Sequence, residues 1–129
     1  MTTTTSRPGL RAYEDSLRLA PAEVVAALRE TLGAKLVAYL GGVRETRAVR
    51  EWADGTRIPA DEVIQRLRAA YYVTAMLRDR ESAPTVASWF QGMNPELDDV
   101  APARMLREQD LDTAGPAVLA AARSFIALG

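Results

Sequence analysis

Apolar residues recur at intervals of three and four along almost the whole chain, and nowhere do they alternate with polar ones over the length of a strand. That spacing lines one face of an α-helix, whereas on a strand it would scatter apolar groups over both faces. The pattern restricts the chain to an all-α fold. Leu10, Tyr13 and Leu17 mark a short amphipathic helix over 10–18. Pro21 suits a first helical position and Glu23 the positive end of a helix dipole; Val24, Val25, Leu28 and Leu32 follow as an inward stripe, and Gly33 stops it. Leu36, Val37 and Leu40 predict a helix over 35–40, broken by Gly41 and Gly42. Val49 and Trp52 anchor the next, over 44–54, which Gly55 ends. The longest expected helix runs over 61–78 through Val63, Ile64, Leu67, Tyr71, Thr74 and Leu77. Short helices over 84–90 and 102–107 follow. A last one begins at Pro116 and turns Val118, Leu119, Ala122, Phe125 and Ile126 inward.

Three segments follow. Residues 1–9, rich in Thr and closing on Pro-Gly, cannot bury apolar surface and are expected to form a loose tail. Residues 10–80 form a helix-turn-helix-like helical domain. Residues 81–129, beyond a charged hinge at 78–82, form a small C-terminal helical domain. At 129 residues the two are one compact domain or two small units sharing a core.

Composition removes several chemistries. The chain has no Cys and no His, so it carries no thiol nucleophile, no disulfide, no Cys-based zinc site and no imidazole, the usual general base and commonest metal ligand. Glu96, Asp98 and Asp99 cluster in a turn-rich loop and read as a solvated acidic loop, and no phosphate-binding glycine pattern occurs. No catalytic residue, metal or cofactor is expected. No apolar run approaches the roughly 20 residues of a membrane span, and the N-terminus lacks the charged-then-apolar order of a secretory signal, so a cytoplasmic protein is expected. Net charge is −1, but unevenly spread. Residues 1–77 hold eleven basic and nine acidic side chains, residues 78–129 five and eight. A basic front and an acidic back suit two different partners.

Residues 36–59 read LVAYLGGVRETRAVREWADGTRIP: a short apolar helix, a glycine turn, an Arg-bearing helix, then Trp, Gly and Pro. The order resembles the helix-turn-helix of Xre-type repressors, whose second helix lies in the major groove. The resemblance implies that Arg44, Thr46, Arg47, Arg50 and Arg57 face operator DNA while Trp52 holds the helix to the core. Glu45 and Glu51 on the same helix oppose phosphate or neutralise the arginines, and an ordinary solvated face has the same spacing.

From residue 86 the chain reads VASWFQGMNPELDDVAPARMLREQDLDTAGPAVLAAARSFIALG. The order and spacing of Trp89, Asn94, Leu97, Pro102, Leu106 and Gly129 resemble the toxin-binding domain of Xre/MbcA/ParS-type antitoxins. The match covers the last third of the chain. Each of these residues has a structural job first: aromatic burial, turn initiation, core packing and helix initiation. The resemblance implies an antitoxin of a type II toxin–antitoxin system that occludes the active-site cleft of a RES-domain toxin, an enzyme that consumes NAD. It implies a homodimer that forms a hetero-oligomer with the toxin, and operator DNA as a further partner. The toxin-binding surface would then comprise Arg104, Glu108, Asp110, Asp112, Ser124, Leu128 and Gly129. Many family members continue a few residues past this glycine, so here its carboxylate or the helix face would be expected to do the covering. Two alternatives stay open: a stand-alone helix-turn-helix transcriptional regulator that dimerises through its C-terminal part, and a helical adaptor of unrelated function.

Overall fold

The computed structural model describes residues 9–128, so the expected tail (Gly9 excepted) and the terminal Gly129 lie outside the described residues. Among the described residues there are eight α-helices and no β-strand, and the fold is all-α. In order they are α1 (Leu10–Arg18), α2 (Pro21–Leu32), α3 (Ala34–Gly41), α4 (Thr46–Asp54), α5 (Asp61–Arg78), α6 (Ala83–Gln91), α7 (Pro102–Glu108) and α8 (Leu111–Leu128). A single 3-10 turn, Pro95–Leu97, precedes α7.

Local chemistry sets the ends. The backbone N–H of Ala20 donates to the Glu23 carboxylate at the start of α2, 2.8 Å, and Ser82 accepts from the Thr85 N–H at the start of α6, each satisfying a donor the helix leaves open. Gly42, at φ 74°, ends α3 in the left-handed region. It lets the Val43 N–H return to the Ala38 carbonyl, 3.0 Å, as helix-terminating turns require. Arg66 of α5 donates to the Leu40 carbonyl, 2.8 Å.

Burial follows the helical stripes. Val24, Val25, Leu28, Val37, Leu40, Val49, Leu67, Leu77, Phe90, Leu106 and Val118 are sealed from solvent, each worth roughly 1.5–3 kcal/mol. These residues belong to one cluster that runs from Ala12 to Ala122. The segments on either side of the charged turn at 78–82 therefore share a core: α2 packs on α6, α3 on α7, and α5 on α8.

Three expectations change. In α1 the large residues face out: Leu10, Tyr13 and Leu17 are 41%, 46% and 62% exposed, while Ala12 and Ser16 are buried. Small residues face α5 because the helices approach closely, with Gly9 against Met76 and Tyr72. Arg68 of α5 closes the interface by donating to the Ser16 and Leu19 carbonyls, 2.9 and 2.7 Å. The helix expected from residue 44 begins at Thr46, because Arg44 belongs to the turn and Glu45 is the extended N-cap. The last helix begins at Leu111 and carries Pro116 inside it. Ala114 on one side of the proline and Val118, Ala121 and Ala122 on the other are all buried, and that packing outweighs the one hydrogen bond a proline removes. By length and composition only, α8 is apolar enough to cross a membrane, at a mean hydropathy of 1.2 over 18 residues that include Asp112 and Arg123. It packs against α5 and α7.

Candidate functional site: two polar faces on one core

The first face is built on α3, the turn after it and α4. Trp52 fixes their separation. It is buried, and its six-membered ring lies against Gly41, where a Cβ would sit 2.8 Å from Cζ3. Gly41 is therefore required for close approach, not for turning. With Ala48, Val49 and Trp52 inward, the opposite face of α4 presents Thr46, Arg47 and Arg50 to solvent. Arg44 precedes it in the turn and Arg57 follows it, both exposed. All five residues expected to meet DNA thus lie on or beside one helix. Arg47 and Arg57 share the Glu51 carboxylate, at 3.3 and 3.7 Å. Exposed pairs of this kind contribute about 0–1 kcal/mol and yield readily to a phosphate. Among the described residues neither Arg44 nor Arg50 forms an ion pair. Beyond α4 the chain turns through Asp54, whose carboxylate accepts from the Thr56 hydroxyl and backbone N–H, at 2.7 and 3.0 Å. These hydrogen bonds hold Asp54 below the usual carboxylate range.

The second face belongs to the C-terminal segment. Trp89 meets Phe90 edge-on at 5.2 Å and Phe125 at 6.3 Å, tying α6 to α8. The Asn94 side chain accepts from the Glu96 N–H, 2.9 Å. The loop then closes on itself: the Asn94 carbonyl accepts from Leu97 and Asp99, and Asn94 N–H donates to Val100. Asp98 and Asp99 both take positive φ in this tight loop. Leu97 and Leu106 are buried, and Pro102 opens α7. Of the motif residues that are described, Leu97, Pro102 and Leu106 are thus buried and Trp89 and Asn94 half-buried.

The residues assigned to toxin contact are not gathered in one place. Arg104, Glu108, Asp110 and Asp112 surround the α7–α8 junction, all exposed, with Arg104 and Glu108 paired at 3.1 Å. Ser124 lies twelve residues further along α8, about 18 Å at the helical rise, and donates to Glu96, 2.9 Å. Leu128 is 87% exposed near the end of that helix. One compact partner element can cover the junction or the far end of α8; reaching both needs an extended one.

Sequence reasoning passed over Lys35, Tyr39 and Arg107, which line a cleft with Arg44 and Thr46. The i,i+4 pair on α3 was a signal for the first two; Arg107 comes from a distant segment and left none. Among the described residues no group of Asp and Glu is arranged to hold a metal ion. Set against known proteins, the chain matches no family model, no curated protein and no solved structure.

Proposed function

We propose that this chain is an antitoxin with two faces: α4 meets operator DNA, and the C-terminal segment covers the active-site cleft of a RES-domain toxin. The observation that carries the reading is that Leu97 and Leu106 are buried in a core that Trp89 packs against, while Asn94 ties the loop between α6 and α7 and Pro102 opens α7. Those are five of the six positions through which the segment resembles toxin-binding domains; the sixth, Gly129, lies outside the described residues. The α7–α8 junction carries a net negative charge, with Glu108, Asp110 and Asp112 exposed beside Arg104, which pairs with Glu108. A cleft that binds the phosphates of NAD is electropositive, and the two are complementary. The front face supports the second role, with Arg44, Arg47 and Arg50 presented outward by a helix whose other side is anchored by Trp52.

The test is to express the gene beside this one, alone and together with this chain, and to measure cellular NAD. NAD should fall with the neighbour alone and hold when both are present. Reversing charge at Glu108, Asp110 and Asp112 together should abolish the protection, because all three side chains are exposed. A neighbour that leaves NAD untouched overturns the toxin-binding role. It leaves the second reading, a helix-turn-helix regulator, which rests on the α4 face alone.

A further inference from the structure

The basic face does not stop at the start of α4. A cleft of about 620 Å³ runs from the turn before α4 across α3 to α7. Three cations line it, Lys35 from α3, Arg44 from the turn and Arg107 from α7, against one carboxylate, Glu45. The Arg107 guanidinium lies over the Tyr39 ring, 4.4 Å from its centroid. Stacking occupies the flat face of the guanidinium and leaves its edge N–H donors free for an anion. Lys35 is exposed and in no ion pair among the described residues. Arg104, one turn before Arg107, shares a neighbouring cleft with Lys35.

We infer that Lys35 and Arg107 belong to the nucleic-acid interface, taking the sugar–phosphate strand that flanks the groove entered by α4. The inference rests on the reading that α4 meets duplex DNA. A helix in the major groove, about 12 Å wide, has a phosphate strand on each side. Cations beside one end of that helix meet this strand. Arg44 and Thr46 belong both to the α4 face and to the cleft, so a single ligand that follows one follows the other. An acidic protein segment is the competing occupant.

Binding of the duplex upstream of the chain's own gene, and of a mixed-sequence duplex, is followed by fluorescence anisotropy over a series of salt concentrations. Removing one cation that neutralises a phosphate lowers the slope of log K against log salt by roughly 0.9. Lys35→Gln and Arg107→Gln should each lower it by about one, the pair by about two, and equally on both duplexes, since phosphate carries no sequence information. Arg107→Lys restores the slope. Should Arg107→Gln lose its fold with its stack on Tyr39, Lys35→Gln still decides, because that side chain is exposed. An unchanged slope in Lys35→Gln and Arg107→Gln, beside a lowered slope in Arg44→Gln, overturns the inference and gives the cleft to an acidic protein. Absence of salt-dependent binding by the unaltered chain, or indifference to Arg44→Gln and Arg50→Gln, overturns the DNA reading of α4 itself.

Discussion

Replacing Gly41 by Ala sets two effects of opposite sign against each other. Gly41 is the last residue of α3, and in a helix interior Ala is favoured over Gly by about 0.8–1.0 kcal/mol, less at a terminus. Against this, the new Cβ would sit 2.8 and 2.9 Å from Cζ3 and Cη2 of Trp52, where ordinary contact begins at 3.4 Å. Half an ångström or so must come from somewhere. The ring is rigid and only 3% exposed, so it cannot swing aside. Overpacking of a filled core costs about 1–3 kcal/mol, and the net effect is a loss of about 1–2 kcal/mol, or roughly 4–8 °C in Tm for a chain of this size. Chemical denaturation measures it. The clash is with the outer ring of the indole, which phenylalanine lacks, so Trp52→Phe relieves it. In a double-mutant cycle, Gly41→Ala should therefore cost little in the Trp52→Phe background, a coupling of about 1–2 kcal/mol. If Gly41→Ala stabilises the protein, or costs the same in both backgrounds, the close approach of α3 and α4 is not what requires glycine here.

Two further outcomes follow from the geometry. Leu17→Lys should change stability by less than about 0.5 kcal/mol in urea denaturation, as exposed substitutions do; a loss of about 2 kcal/mol or more, the usual cost in a core, would place Leu17 inward after all. Hydrogen bonding keeps Asp54 ionised below the usual range, so its contribution to stability is full above the ordinary carboxylate value and is lost as pH falls through the lowered native value. An NMR titration of the Asp54 carboxyl should accordingly move upward in Thr56→Val, which removes the hydroxyl donor, and an unmoved midpoint would refute that cause.

The helical class, most helix bounds and the inward stripes of α2, α3 and α4 are legible in the sequence, because each stripe is made of large apolar residues with a single place to go. The stripe of α1 is equally clear, yet it faces out. Periodicity reports that a helix has an apolar side; which side is buried depends on the partner. Here α5 offers Arg68 to the carbonyls at the end of α1 and takes small residues in close contact. Pro116 misleads for a similar reason, since flanking buried residues keep α8 continuous through it. The five arginine-face positions were legible because they are local, all within fourteen residues. Arg107 was not, because only tertiary packing brings α7 onto Tyr39.

The C-terminal motif also decides which substitutions are informative. Leu97 and Leu106 are buried, Pro102 begins a helix, and the Asn94 side chain is committed to the loop backbone. Changing any of them acts on folding, about 2–5 kcal/mol for Leu106→Ala, and any weakening of partner binding would follow from that. A polar residue at Leu106 therefore cannot separate a recognition surface from the scaffold beneath it. The residues that can do so are those that are exposed and that the core does not use: Asp110 and Asp112 at the α7–α8 junction, Arg44 and Arg50 beside and on α4. Because α3 packs on α7 and α5 on α8 within one core, the two sets are held at a fixed separation. Charge reversal at Asp110 and Asp112 should abolish protection from the toxin and leave the salt slope for DNA near its original value. Neutralising the basic face should do the opposite. A variant that loses both has lost the fold, and its melting curve will say so.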